Sequence, residues 1–360
     1  VIKIPEIPLE NFEIPSGEII SKLGLINQYE GSLDFGIVGS GQAGCRIAKS
    51  FYDIGYFKAI GLNTASADLN PLGIPPEQKL RIGSTEGSGK SMEKGKKAAE
   101  ESAQQIFDKM KAVFGTVDKV ILCAGFGGGT GAGSLETLIG IATKYLEYLR
   151  HPDPAKDVIV IAALPTAGEL KSTVVKENND AILKQTFESA DKSLLGPIIL
   201  IDNAKIERLY RGIPPAKFWG TINDTITQLF QMFNYLSKQE SDYTSFDEED
   251  YKTVLTTSGL AALGVTRIGL DSEEKLSQAL QDNLKKTLLS DAADFKTAKE
   301  AACVVVAGTD IMQNITMDTI NYGFDTISNV VGNANVHRGL YDAEGDATRV
   351  YTLLTGMKHK

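Results

Sequence analysis

Apolar and polar positions switch between two periods along most of this chain. Short apolar blocks at Phe35 to Val38, Ala59 to Leu62, Lys119 to Ala124, Val158 to Leu164 and Ile198 to Ile201 read as buried strands. Between them, apolar residues recur at helical spacing over Cys45 to Tyr52, Met92 to Phe114, Ser134 to Leu149 and Lys171 to Ser189. Strand and helix in strict alternation predict an α/β fold, a parallel sheet with helices on both faces. Ligands of such sheets sit beyond the carboxyl ends of the strands, where the connecting loops gather.

A long helix is expected from Ala216 to about Lys238, because Ile222, Ile226, Leu229, Phe230, Phe233 and Leu236 form one apolar stripe. After it come an acidic stretch, Ser241 to Asp250, and a smaller α/β region with strands at Leu260 to Ile268, Ala302 to Gly308 and Arg349 to Thr355. Helices are expected around 272 to 289 and 310 to 319. Ahead of the first strand lies a Pro-punctuated arm with a short amphipathic helix over Gly17 to Tyr29, capped by Ser16. The expected domains are an N-terminal extension (1–33), a nucleotide-binding domain (34–215), a central helix (216–240) and a C-terminal domain (241–360). No internal repeat or low-complexity segment interrupts them.

Composition narrows the function classes. The chain has 360 residues, 42% of them hydrophobic, enough for a sizeable core. Its longest apolar runs are strand-sized, far short of the roughly 20 residues of a membrane span, and the first residues lack the basic start and apolar stretch of a secretory signal. The expectation is a cytoplasmic protein without membrane contact. Net charge is −9, which argues against a broad face for nucleic acid, since phosphate neutralisation needs clustered Lys and Arg. Three cysteines and three well-separated histidines are too few and too scattered for a disulfide framework or a metal centre.

Three glycine-rich segments carry the chemistry. Gly39-Ser-Gly41-Gln42-Ala43-Gly44 follows a strand and precedes a helix, matching the G-x-G-x-x-G pattern that brings backbone close to a phosphate chain at a helix N-terminus. A nicotinamide-binding reading also predicts an acid at the end of the second strand, and Asn63-Thr64 stands there instead. Gly83 to Ser91 ends like a Walker A loop with one residue too many, and reads as a flexible turn near phosphate. Phe126-Gly127-Gly128-Gly129-Thr130-Gly131-Ala-Gly133-Ser134 places five glycines in seven positions at a helix start. Such a segment frees a row of backbone N–H groups for an anion, with Thr130 and Ser134 as hydroxyl donors.

This last loop resembles the signature of the tubulin/FtsZ superfamily, and the resemblance extends in order from about residue 34 to the C-terminus. It implies a filament-forming GTPase that binds GTP and GDP with Mg²⁺, the ion being held largely by phosphates and water. Gly41-Gln42-Ala43-Gly44-Cys45 resembles the family's first phosphate loop, with Cys45 where Asn is usual, and Asn63-Thr64 its second. Gly87, Gly89 and Lys90 fall in the γ-phosphate-sensing loop, Gly127 to Gly131 in the signature loop, and Pro165 to Glu169 in the ribose loop. Asn203 and Asn223 resemble the pair that reads guanine, with Trp219 stacked on the base. An amide offers both acceptor and donor, which suits guanine's N1–H, N2–H and O6 and not adenine. The plainer alternative is that Asn203 caps the helix beginning near Ala204 and Trp219 is core.

Phe246-Asp247-Glu248-Glu249-Asp250 resembles the loop whose acids polarise the attacking water on the nucleotide of the next subunit. The resemblance thus implies hydrolysis only on assembly, with Asp247 and Asp250 as the acids, Glu248 beside them, and Ser245 where the family has Asn; the alternative is a merely solvated acidic loop. Leu200 to Lys205 and the N-terminal extension are similar to the TubZ branch, whose filaments segregate plasmid or phage DNA through a DNA-binding adaptor. The chain stops at Lys360, leaving a long adaptor-binding tail short or absent. A division-ring protein would be expected to carry a C-terminal membrane-adaptor peptide, and none is visible. An NAD-dependent oxidoreductase is the alternative from another class.

Overall fold

The computed structural model describes residues 30–209, 214–268, 292–343 and 348–360. The helices expected over Gly17–Tyr29 and around 272–289 lie outside those residues. The first half is the anticipated alternation: β1 (Phe35–Ser40), α1 (Gly41–Asp53), β2 (Ala59–Asn63), α2 (Ser66–Leu69), β3 (Lys79–Arg81), α3 (Met92–Glu101), α4 (Ala103–Phe114), β4 (Lys119–Gly125), α5 (Gly129–Tyr148), β5 (Val158–Leu164), α6 (Thr173–Asp191), β6 (Pro197–Asp202) and α7 (Asn203–Leu209). β1, β2 and β4 to β6 are wholly or almost wholly buried, as strands covered on both faces must be.

The second half comprises α8 (Pro215–Leu236), α9 (Glu248–Thr256), β7 (Gly259–Ile268), β8 (Ala293–Asp294), β9 (Glu300–Gly308), α10 (Thr309–Met312), α11 (Met317–Val330), β10 (Asn335–Ala343) and β11 (Thr348–His359). Its strands do not form a separate layer. One sheet runs through the molecule in the order β10-β9-β11-β7-β6-β5-β4-β1-β2-β3, with β8 on β11. The halves are stitched where β6 pairs β7 in parallel at Pro197↔Gly259, Ile198↔Leu260 and Ile199↔Ala261. The apolar stripe of α8, from Ile222 to Leu236, is buried along its length, and α8 packs on α1 and β7. It therefore spans the joint that the sheet also crosses.

Two local differences from the expected pattern have physical causes. The helix expected over Met92–Phe114 breaks at Ser102, which leaves helical geometry (φ −103°, ψ 8°) while its hydroxyl accepts the Gly83 N–H at 2.9 Å. The helix expected from Ser134 begins at Gly129, so most of the glycine cluster forms a helical first turn, not a loop. Glycine is unfavourable inside helices, but here its lack of a side chain is used for contact. A Cβ on Gly133 would lie 2.1 Å from the Met92 carbonyl oxygen, and one on Gly95 would lie 2.1 Å from that of Gly129. α3 and α5 therefore cross backbone to backbone.

Candidate functional site

A cleft of about 640 Å³ opens at the carboxyl ends of the parallel strands. Two helices begin on it, α1 directly after β1 and α5 directly after the turn that follows β4. Gly41, Gln42 and Ala43 of the first, and Gly127 to Gly131 at the second, line its wall. Each helix start leaves backbone N–H groups without an intrahelical acceptor. Neither start has a side-chain cap, although α3, α9 and α11 are capped by Ser91, Asp247 and Thr316. Ser40, at the cap position of α1, bonds instead to the Ser134 hydroxyl at 2.7 Å. Two uncapped helix starts with their positive ends on one cleft make a site for a polyanion.

At the other end of the cleft lie Asn203, Trp219 and Asn223. The Asn203 amide nitrogen donates to the Leu164 carbonyl at 2.7 Å. A carbonyl is acceptor only, so the amide orientation is forced and Oδ1 is left as an acceptor for a donor edge. Asn203 does not cap α7; that role belongs to Asp202, whose Oδ1 accepts the Lys205 N–H at 2.9 Å. Trp219 and Asn223 stand one helical turn apart on α8, which places both on one face. Pro165 and Glu169 also line the cleft, and the Glu169 carboxylate accepts the Thr166 N–H at 2.8 Å, closing its own loop.

Several expected contacts lie elsewhere. Gly44 and Cys45 are buried behind the cleft wall. A Cβ on Gly44 would sit 2.1 Å from the Cys123 carbonyl oxygen, so this glycine lets α1 rest on β4. The Cys45 thiol points toward the Gly39 and Leu62 carbonyls, and burial pushes its pKa up to about 12. The hydroxyls of Thr130 and Ser134 are committed inside the protein: Thr130 to Thr64 (2.8 Å) and Ser88 (3.2 Å), Ser134 to Ser40. Thr64 is 1% exposed and holds the loop from below. Asn63 and Lys90 line the cleft, whereas Gly87 and Gly89 do not. Both of those glycines have positive φ (79° and 56°), as does Lys90 (64°), and this tight path delivers Ser88 and Lys90 to the wall.

The site also contains residues that the motifs did not announce. Arg46 and Asp68 line it, and the Asp68 carboxylate accepts from Asn63 Nδ2 at 3.2 Å and Gln42 Nε2 at 3.4 Å. Asp68 lies five residues beyond the strand end, in a short helix whose pattern has no distinguishing signal; Arg46 is one basic residue among many. Among the described residues there is no group of three or more His, Cys, Asp or Glu side chains that could hold a metal ion, and no helix long and apolar enough to cross a membrane.

Asp247, Glu248 and Asp250 do not line this cleft. They form the start of α9, where Asp247 and Asp250 make a reciprocal capping box: Asp247 Oδ1 accepts the Asp250 N–H at 2.9 Å and Asp250 Oδ2 the Asp247 N–H at 3.3 Å. Glu248 is paired with Lys252. The acidic stretch is therefore a built helix start and not a merely solvated loop. The far end of α9 is tied to the amino end of β4, where Lys119 Nζ donates to Thr256 Oγ1 at 2.9 Å and pairs with Asp157 at 2.6 Å. β4 has its other end, Gly125, in the cleft. Its seven residues span about 20 Å, so α9 and the cleft lie at opposite ends of the strands.

Comparison with known proteins agrees with this geometry. Residues 35–211 match the model of the tubulin/FtsZ family GTPase domain, and residues 233–358 that of the C-terminal domain of the tubulin/FtsZ-like protein TubZ. The chain is 26% identical over 332 residues to the tubulin-like protein CetZ of Pyrococcus horikoshii, covering 89% of this chain and 85% of that one. It is 27% identical over 300 residues to the tubulin-like protein TubZ of Bacillus cereus, covering 76% and 66%. A GTPγS-form protofilament of TubZ from Bacillus thuringiensis serovar israelensis superposes with a TM-score of 0.78 at 18% identity over 94% of this chain and 92% of that one. With both halves of the fold matched in order, the chain belongs to the tubulin/FtsZ family of GTPases and carries a TubZ-like C-terminal domain.

Proposed function

We propose that this protein binds GTP in the cleft, assembles head to tail, and hydrolyses the nucleotide across the interface between subunits. The observation that carries this reading is the separation of cleft and acidic helix at opposite ends of the strands of one sheet. A subunit's Asp247 and Asp250 cannot reach its own nucleotide, whereas a second copy stacked along the strand direction would bring its acids over the open γ-phosphate end. The solved relatives of this fold include TubZ protofilaments.

In this reading the first turns of α1 and α5 hold the phosphates by backbone N–H groups, and Lys90 adds a cation. Asn203 Oδ1 accepts from guanine N1–H and N2–H, Asn223 donates to O6, and Trp219 stacks on the base. When bound with the nucleotide, Mg²⁺ would supply charge neutralisation at the phosphates. The cleft fits an ion held by phosphates and water, since the carboxylates lining it are the single Asp68 near the phosphate end and Glu169 near the ribose loop. Asp250 and Asp247, from the next subunit, orient and deprotonate the attacking water.

The cargo in this reading is plasmid or phage DNA, gripped through an adaptor that itself binds DNA. The net charge of −9 supports an indirect grip, and the C-terminal half matches a TubZ-like domain. Right-angle light scattering with parallel phosphate release tests the core of the reading. Scattering should rise with GTP and Mg²⁺ but not with ATP or NAD, and release per subunit should switch on above a critical concentration. Release that is linear in protein from the lowest concentrations would sink the trans mechanism.

A further inference from the structure

The acidic helix start is seated on a strand that the sequence pattern does not announce. β10 is the outer strand of the sheet, and the segment before α9 bridges to its free side: Leu340 N–H donates to the Thr244 carbonyl at 2.8 Å, and Ser241 Oγ donates to the Leu340 carbonyl. His337, Gly339 and Tyr341 alternate onto one face of β10. The Tyr341 hydroxyl accepts the Phe246 N–H at 2.8 Å, and a Cβ at Gly339 would lie 2.9 Å from Phe246 Cβ. Phe246, immediately before Asp247, is fully buried there.

His337 completes the seat. Its Nδ1 is 2.7 Å from Asp250 Oδ1 and its Nε2 is 2.9 Å from Glu300 Oε2. Glu300 is in turn fixed by Asn335 Nδ2, which donates to Oε1 at 3.0 Å. An ionised carboxylate only accepts, so the tautomer with its hydrogen on Nδ1 donates to Asp250. Asp250 thereby receives one donor on each oxygen, the His337 ring on Oδ1 and the Asp247 N–H on Oδ2. Two fixed points set the carboxylate plane, while the side chain stays 31% exposed.

We propose that His337 is a positioning residue for GTP hydrolysis, holding the Asp250 carboxylate in the orientation in which it meets the water on the next subunit's nucleotide. The inference rests on the reading of Asp250 as a water-orienting acid. Hydrolysis is sensitive to such placement, because small displacements of a catalytic group cost large factors in rate.

The two amide replacements separate the two bonds of the ring, since an Asn amide nitrogen overlays Nδ1 and a Gln amide nitrogen overlays Nε2. GTP turnover per polymerised subunit, and the critical concentration for assembly with GTPγS, would be measured for His337→Asn, His337→Gln and Asp250→Asn. His337→Gln should lower kcat by about tenfold or more and His337→Asn by no more than about threefold, with KM and GTPγS assembly unchanged in both. If His337→Gln turns over like the wild type while Asp250→Asn is inactive, the positioning role is wrong and the catalytic reading stands. If both histidine variants lose turnover in step with a raised critical concentration, the ring is merely structural. If Asp250→Asn hydrolyses GTP normally, the catalytic reading fails and takes this inference with it.

Discussion

The side-chain hydroxyls of Thr64 and Thr130 lie 2.8 Å apart, joining the loop after β2 to the first turn of α5. Thr130 also donates to Ser88 at 3.2 Å, so three loops that line or support the cleft are cross-linked by buried hydroxyls. Thr130, which lines the cleft, thus also ties its wall together. Thr130→Val strands the other two hydroxyls in a buried place and should cost about 1–3 kcal/mol of stability. Urea denaturation checks it; an unchanged midpoint would count against the cross-link.

The glycines of the α5 start should separate by role. Gly133→Ala drives a Cβ to 2.1 Å from the Met92 carbonyl oxygen, so the protein should lose about 3 kcal/mol or fail to fold. Gly128 has ordinary extended geometry (φ −91°, ψ 162°), and a Cβ there meets nothing within 4 Å. Gly128→Ala should therefore keep its stability within about 0.5 kcal/mol and weaken GTP binding by intruding on the cleft. Thermal unfolding and nucleotide titration on the same preparations distinguish the two.

Asn203→Leu removes the acceptor proposed for the base together with the hydrogen bond to the Leu164 carbonyl. GTP affinity should fall by roughly tenfold to a hundredfold, and the preference for GTP over ATP should fall with it. Equilibrium titration with fluorescent GTP and ATP analogues measures both. A uniform loss that preserves the preference would mean that Asn203 does not read the base.

Burial raises the Cys45 thiol from its ordinary value of 9.0 to about 12. The folded pKa lies above the unfolded one, so the stability linked to this thiol is fully present below pH 9.0 and is lost as pH rises toward the folded value. Replacing the thiol by an apolar Cys45→Ala should flatten the decline in thermal stability over that window relative to the wild type. Cys45, Cys123 and Cys303 are all buried free thiols, so a thiol reagent at neutral pH should label none of them until the chain is unfolded.

What could be read from the sequence follows from how local each signal is. β4, β5 and α8 announce themselves because continuous apolar runs and a six-residue stripe have one natural interpretation. β10 did not, since Asn335-Val-His-Arg-Gly-Leu-Tyr-Asp-Ala343 at a sheet edge keeps one polar side and shows no apolar run. The Asn203 reading depended on resemblance, because an Asn before a helix is equally a cap until Asp202 is seen to fill that role. The internal bonds of Thr130 and Ser134 were illegible for a related reason: hydroxyls beside glycines suit a phosphate as well as each other, and their partners Thr64, Ser88 and Ser40 are distant in sequence.

By itself the sequence determined the alternation of strand and helix, the glycine-rich segments after β1 and β4, and the presence of an acidic stretch after the central helix. These are properties of adjacent residues, governed by local sterics and periodicity. The tertiary structure decided which glycines line the cleft and which serve packing. It also decided that one sheet unites both halves, that the acidic residues lie at the opposite ends of the strands from the cleft, and that His337 grips Asp250 from 87 residues away. Each of these depends on distance across the folded sheet, and the pattern of neighbouring residues encodes no such distance.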